Sequence, residues 1–139
     1  MTEREARERF ATARVARLAT VGEDGGPHLV PIVFALHGDT ILHAVDAKPK
    51  RTRALRRLAN IAADPRVALL ADEYDDGDWE RLWWVRADGV ARVLEAGEAE
   101  ADRALMLLGQ RYAQYHAAPP AGPVVAVDVE RWRGWSASG

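Results

Sequence analysis

The chain has no cysteine. That excludes disulfides, thiolate nucleophiles and cysteine-rich zinc sites. Serine occurs only as Ser136 and Ser138, and no G-x-S-x-G elbow exists, so serine-hydrolase chemistry is unsupported. Neither a Walker A sequence nor G-x-G-x-x-G occurs, which removes the P-loop and dinucleotide-fold readings. The histidines His28, His37, His43 and His116 form no H-x-x-x-H or H-E-x-x-H spacing, and no metal site is expected. The longest apolar run, Leu29 to Leu36, is far short of the roughly 20 residues a membrane helix needs. The N-terminus MTEREARERF is charged, unlike a signal peptide. These absences predict a soluble cytoplasmic protein without a membrane partner. Strong charge of one sign is also missing: the formal net charge is -2 at pH 7. Nucleic-acid binding usually brings a basic excess, so it is not expected.

What is present reads as a single domain over 1–139. Thr2 and Glu5 have capping-box spacing and open a helix to about Ala13. Val15 to Val21 alternates as a strand, and Gly22 to Gly26 reads as a turn. His28 to Leu36 reads as one strand, apolar on both faces. Pro31 lacks an N–H and marks an edge or a bulge. Ile41 to Val45 is a third strand, followed by a helix to about Ala62 with Ala54, Leu55, Leu58 and Ala62 on one face. Val67 to Ala71 is a buried strand, and Tyr74 to Glu80 is a solvated acidic loop without the EF-hand pattern. Asp88-Gly89 predicts a hairpin turn between Leu82–Ala87 and Val90–Leu94. Glu98 to Tyr112 is the longest helix, Val124 to Val129 a last strand, and Arg131 to Gly139 a tail. The expected fold is mainly β with flanking helices: a small antiparallel barrel.

Against the acidic total, the run AKPKRTRALRR gathers Lys48, Lys50, Arg51, Arg53, Arg56 and Arg57. A charge run is ordinarily a solvated helix face. Here the charges begin before the helix, where backbone donors are unpaired, and Thr52 adds a hydroxyl. A bound phosphate would gain roughly 1.5–3 kcal/mol from each charge-assisted contact. Arg56 and Arg57 read as the solvated part of the run. The adjacent Trp83 and Trp84 must face opposite sides of a strand, so one of them meets a cleft or an interface. His28 and His43 lie on strands, either half-buried or facing a site.

In order and spacing, these segments resemble the pyridoxamine-phosphate-oxidase-like split-barrel family. The stretch VARLATVGEDGGPHLVPIVFAL is similar to its opening strand pair. AVDAKPKRTRALRRLANIAADPRVALLAD is similar to its phosphate-binding strand–helix unit, and LWWVRADGVARV and VVAVDVERWRGWSA extend the likeness. More narrowly, the chain resembles the subgroup of probable deazaflavin (coenzyme F420)-dependent enzymes. The resemblance implies an antiparallel split β-barrel homodimer with cofactor sites at the subunit interface. By position, Lys48, Lys50, Arg51, Thr52 and Arg53 would hold the cofactor phosphate. Val30, Pro31 and Ile32 would lie along its ring, and Trp83 or Trp84 would approach from the partner chain. The implied activity is hydride transfer between reduced F420 and a small molecule. FMN is the alternative cofactor, and a non-catalytic flavin or F420 carrier is the alternative role. The ending ERWRGWSASG does not match the pyridoxal-phosphate-recognising residues of the vitamin-making oxidases, which points away from that reaction.

Overall fold

The computed structural model describes residues 1–45 and 56–139 in full, and residues 51–55 as helical backbone only. Lys48 and Lys50 therefore lie outside the described residues, as do the side chains of Arg51, Thr52 and Arg53.

Helix α1 (Glu3–Thr12) begins where the Glu5 N–H donates to Thr2 Oγ1 at 3.1 Å. Strands β1 (Ala16–Val21) and β2 (Pro27–Ile32) form a hairpin around the glycine-rich turn. Gly25 has φ 80°, a left-handed conformation that only glycine adopts without strain. The predicted second strand is broken at Val33 and Phe34, and β3 (Ala35–His37) resumes beyond them. Strand β4 (Thr40–Ala44) leads toward α2 (Arg51–Ala63). Strand β5 (Arg66–Glu73), a short 3-10 turn (Trp79–Arg81) and β6 (Trp83–Leu94) follow. Helices α3 (Ala99–Arg111) and α4 (Ala113–Ala117) precede the long β7 (Val124–Ser136).

The strands form one seven-stranded sheet in the order β2-β1-β5-β6-β7-β4-β3, every pairing antiparallel. Its two edge strands, β2 and β3, are consecutive in the chain and separated only by Val33 and Phe34. The three steps from Ile32 to Ala35 span at most roughly 11 Å. The sheet must therefore curl until its edges nearly meet, which makes it a split barrel. β2 stands at an edge, as Pro31 predicts.

Two expectations are corrected. Asp88-Gly89 is no turn: β6 runs straight through it, pairing with β5 on one side and β7 on the other. The register shifts there, with Gly89 opposite Val129 and Asp88 opposite Arg131, so Glu130 is the extra residue of a bulge. A Cβ on Gly89 would lie 2.4 Å from the Asp128 carbonyl oxygen. The glycine serves close backbone approach rather than chain reversal. The predicted C-terminal tail is likewise strand, because β7 pairs with β6 as far as Ser136 opposite Trp83.

The main core fills the barrel. Phe10, Phe34, Leu18, Ile41, Leu69, Val85 and Val127 are each nearly inaccessible. Leu42, Ala101, Ala104 and Val124 form a smaller cluster, where α3 packs on the outer side of β4 and β7.

Candidate cofactor site

Alternation along β4 decides where His43 points. Ile41 and Val45 belong to the main core, whereas Leu42 and Ala44 face α3. His43 lies between Ile41 and Val45 and so turns into the barrel, where it is buried. Helix α2 sends Leu58 and Ile61 into the same core and brings Arg57 with them. Arg57 Nη1 lies 2.5 Å from His43 Nε2. Burial first, then the Arg57 charge, lowers the His43 pKa to about 3, and the nearby Val33 backbone opposes this. The ring is thus neutral at physiological pH, and Nε2 accepts from the guanidinium. Burial also lowers the Arg57 pKa, and the neighbouring Tyr115 acts in the opposite direction. Arg57 Nε is buried and has no hydrogen-bond partner among the described residues. No carboxylate of a described residue pairs with Arg57 either. The expectation that Arg57 belongs to a solvated face is therefore corrected. Arg56, one residue earlier, is exposed as expected.

A second polar contact lies one helical turn further on. Asn60 is buried, and its Nδ2 donates to the buried Thr20 Oγ1 at 3.1 Å. Above this pair, a cavity of about 720 Å³ opens between the Gly22–His28 turn and the Arg56, Ala59 and Asn60 side of α2. The turn is held by Gly22 N–H donating to Gly26 O at 2.8 Å, and by Gly26 N–H donating to Asp24 Oδ1 at 2.8 Å. His28 lines the cavity, and its Nδ1 is buried without a partner among the described residues.

β2 runs beside this cavity. Val30 packs against the core, Ile32 is buried and Pro31 faces outward. Because β2 pairs only with β1, the backbone of its other edge is unpaired with any described strand. Such an edge can offer donors and acceptors to a planar ring. Trp83 and Trp84 point to opposite faces, as alternation requires. Trp83 is buried under α1, its Nε1 donating to Glu73 Oε2 at 3.0 Å and Arg9 stacked over its ring. Trp84 lies on the outer sheet face beside Leu29 and Leu70, around a shallow groove of about 540 Å³ rimmed by Arg17, Asp72 and Arg86. Leu29 is 67% exposed, Leu70 40% and Trp135, opposite Trp84 on β7, 47%.

The structure brings β2, α2 and His43 to one side of the barrel and leaves Trp84 on the outer face. Sequence reasoning missed Arg57 with His43, and Asn60 with Thr20. Periodicity signals the inward direction of each residue but not their pairing: His43 is flanked at i±2 by Ile41 and Val45, and Arg57 stands four residues before Ile61. Among the described residues no group of three or more metal-ligating side chains occurs. No described helix is long and apolar enough to cross a membrane.

The curled antiparallel sheet with its open edge at β2 defines a split barrel. Residues 2–136 match the family described as pyridoxamine 5'-phosphate oxidase, and the chain belongs to that family, within the FMN-binding split-barrel superfamily. It is 33% identical over 84 residues to a 5a,11a-dehydrotetracycline/5a,11a-dehydrooxytetracycline reductase of Streptomyces rimosus. That alignment covers 60% of this chain and 58% of the relative. A conserved hypothetical protein of Mycobacterium tuberculosis is 26% identical, with a TM-score of 0.78, over 99% of this chain and 86% of the other. A FAD-binding protein of Mesorhizobium loti is 22% identical, with a TM-score of 0.71 over 96% and 92% of the two chains, a likeness of fold.

Proposed function

We propose that this chain binds an anionic flavin-type cofactor, coenzyme F420 first and FMN as the alternative, and acts as a reductase of an electron-poor small molecule. The observation that carries the reading is Arg57, a partly buried cation without a described carboxylate partner. It stands on the helix whose start bears the basic run. A desolvated cation of this kind suits a ligand that brings its own negative charge. In the proposed arrangement Lys48, Lys50, Arg51, Thr52 and Arg53 hold the phosphate, and the β2 edge at Val30, Pro31 and Ile32 lies along the ring. F420 carries a longer anionic tail than FMN, and the exposed Arg56 beside the cavity extends the positive field in that direction. The family supports FMN as the alternative. The relative named as a reductase supports reduction as the reaction class.

When bound, either cofactor supplies two-electron redox chemistry. The protein's part is to bind, orient and shield. Asn60 and Thr20 form a fixed polar floor, and Ile32 and Val30 hold the edge strand against the core. The exposed Leu29, Leu70, Trp84 and Trp135 form the face through which we propose homodimerisation, with Trp84 at the contact and the cofactor sites near it. A burial of this kind favours association, since apolar groups there leave water.

The test is titration of the purified protein with F420, FMN and FAD, followed by absorbance and fluorescence. Saturable binding at micromolar concentration is expected for F420. A yellow protein that retains FMN on purification selects the alternative. Absence of saturable binding of all three up to about 100 µM, weaker than roughly 5.5 kcal/mol of binding free energy, overturns the proposal. Binding without turnover over a panel of acceptors gives a carrier instead of an enzyme.

A further inference from the structure

We infer that Tyr112 is a positioning residue for the β2 edge, its phenol fastening the chain just beyond the end of that edge, at Phe34. This inference rests on the proposed cofactor reading and deepens it, naming a residue far from the basic run and outside the cofactor contacts proposed above.

Val33 and Phe34 belong to neither β2 nor β3, so no ladder of a described strand pairs their backbone. Phe34 is fully buried, where an unpaired backbone N–H or C=O is costly. One side chain satisfies both groups. The Phe34 N–H donates to Tyr112 Oη at 3.2 Å, and Tyr112 Oη donates to the Phe34 carbonyl at 3.0 Å. The same hydroxyl lies 3.0 Å from the Arg14 carbonyl and accepts from Arg111 Nε at 3.1 Å. A phenol has one hydrogen to donate and otherwise accepts. Here that hydrogen is shared between the Phe34 and Arg14 carbonyls, while the oxygen accepts from Phe34 and Arg111. The hydroxyl thus ties together three segments distant in sequence: the approach to β1, the exit from β2 and the end of α3.

Tyr112 is itself held. It is the residue between α3 and α4, with φ -122° and ψ 119°, and its N–H donates to Leu108 O at 2.9 Å. The Arg14 guanidinium lies 4.6 Å from the centre of its ring, and Tyr115 meets the ring edge to face at 6.1 Å between centroids. Arg111 reaches across to α1, donating from Nη1 to Ala11 O at 2.8 Å and from Nη2 to Ala13 O. Those are carbonyls at the C-terminal end of α1, which the helix cannot pair for itself. The Val33 backbone, next along the same corner, lies beside the buried His43 ring.

The fastened corner governs the edge before it. Among the described strands β2 pairs only with β1, and Ile32 stands opposite Ala16 at the last rung. The end of a strand held from one side opens more readily than a strand inside the sheet. A ring bound through backbone groups needs those groups held within roughly 0.5 Å. Phe34 stands two residues beyond Ile32, so its bonds to Tyr112 fix the direction in which β2 leaves its ladder. Removing the hydroxyl frees that end without removing any group proposed to touch the ring or the phosphate.

Tyr112→Phe removes the hydroxyl and keeps the aromatic ring. Wild type, Tyr112→Phe and Val85→Ala are titrated with FMN and riboflavin, or with F420 and its phosphate-free chromophore. Val85 is buried in the core on β6, which β1 and β5 separate from β2, and its truncation controls for general loss of stability. Tyr112→Phe should weaken the phosphorylated and the phosphate-free ligand by the same factor, about fivefold or more, in line with one lost hydrogen bond. The absorbance band of the bound ring should also shift from its wild-type position, which loss of stability alone does not produce. Val85→Ala should lower the melting temperature as much or more and change neither affinity by more than about twofold. In Tyr112→Phe, unchanged affinity, an unshifted band or a loss confined to the phosphorylated ligand would overturn the inference, as would an equal loss of affinity in Val85→Ala. Hydrogen exchange on the ligand-free chain reads the edge directly. The Ile32 and Phe34 amides should exchange at least tenfold faster in Tyr112→Phe, with those of β5 and β6 unchanged, and unchanged exchange at Ile32 and Phe34 overturns the inference. If wild type binds none of these cofactors, the cofactor reading fails, and exchange alone decides whether Tyr112 fixes the edge. Should Tyr112→Phe not fold, Arg111→Lys, which withdraws the Nε contact from the phenol, serves in the same comparisons.

Discussion

Helices α1 and α2 both cover the barrel, and their contacts with it differ in kind. Under α1 the interface is aromatic and its polar tips are satisfied. Phe10 meets Phe34 at 4.8 Å between ring centroids and Trp132 at 5.3 Å, edge to face. Trp132 Nε1 donates to Asp39 Oδ1 at 3.1 Å, and its backbone N–H to Glu3 Oε1 at 3.0 Å. Arg111 stacks on Phe34 and donates to the Ala11 and Ala13 carbonyls. Around α2 the contact is mixed. Leu58 and Ile61 enter the core, but Arg57 and Asn60 enter with them, opposite His43 and Thr20. The buried side-chain atoms left without partners among the described residues are His28 Nδ1, His43 Nδ1 and Arg57 Nε. His43 touches α2 through Arg57, and His28 faces α2 across the cavity. Unsatisfied buried polar groups are costly, so natural proteins keep few of them. Their concentration around one helix divides scaffold from binding side.

The largest expected effect belongs to the scaffold. Phe10 is fully buried. Phe10→Ala should cost about 3–5 kcal/mol in stability through lost transfer energy and a residual cavity. Urea unfolding, with the midpoint and slope compared, measures it. A loss below about 1 kcal/mol would mean that α1 is not the satisfied, tightly packed cover described here.

That scaffold was mostly legible in the sequence, and the binding side only in part. Alternation and helical spacing gave β1, β4, β5 and the three long helices, because burial on one face writes a period into the residue types. Asp88-Gly89 misled for a physical reason. A local turn signal was overridden by strands on both sides, and the glycine was needed because Asp128 passes too close for a Cβ. The tail was misread since Arg131, Arg133 and Trp135 are exposed there and Trp132 alone is buried, on the half of β7 that pairs with β6 but not with β4. The basic run was legible as charge. Its division was not: a net-charge pattern cannot tell Arg56, in solvent, from Arg57, whose stem follows Leu58 and Ile61 inward. The pairing of Arg57 with His43 spans 14 residues and depends on the curl of the sheet, which no local pattern records.

The second prediction probes the α2 side by pH. His43 has its pKa lowered from 6.5 to about 3 in the folded chain. Between those values the unfolded chain takes up a proton that the folded one refuses. The stabilisation is therefore complete above about pH 6.5 and is lost as pH falls toward 3. The slope approaches about 1.4 kcal/mol per pH unit at most. Unfolding free energies of wild type and His43→Gln, measured from pH 7 to pH 5, should diverge, with the wild type losing more. Parallel curves would show that His43 does not hold a lowered pKa and would erase the asymmetry between the helices. Asp128 and Glu100, whose pKa values are lowered first by hydrogen bonding to Arg92, act alike in both proteins and cancel in the comparison.

The smallest effect carries the opposite sign and is the sharpest test of the comparison. On the α1 side every truncation should destabilise. On the α2 side, Arg57→Met should stabilise the ligand-free chain. Methionine keeps the length and apolar body of the arginine stem and removes a desolvated charge whose described polar contact is a neutral ring. Replacing buried ionic groups by apolar ones of similar volume is often neutral or stabilising. Since Arg57 is only partly buried, a gain of about 1 kcal/mol is expected at neutral pH. His43 loses its hydrogen-bond donor in the exchange, which offsets part of the gain. Thermal and urea unfolding of the ligand-free variant measure the sign. A clear loss of stability would mean that the charge is already compensated within the chain, and the helix that looks built for a ligand would be as self-sufficient as the other.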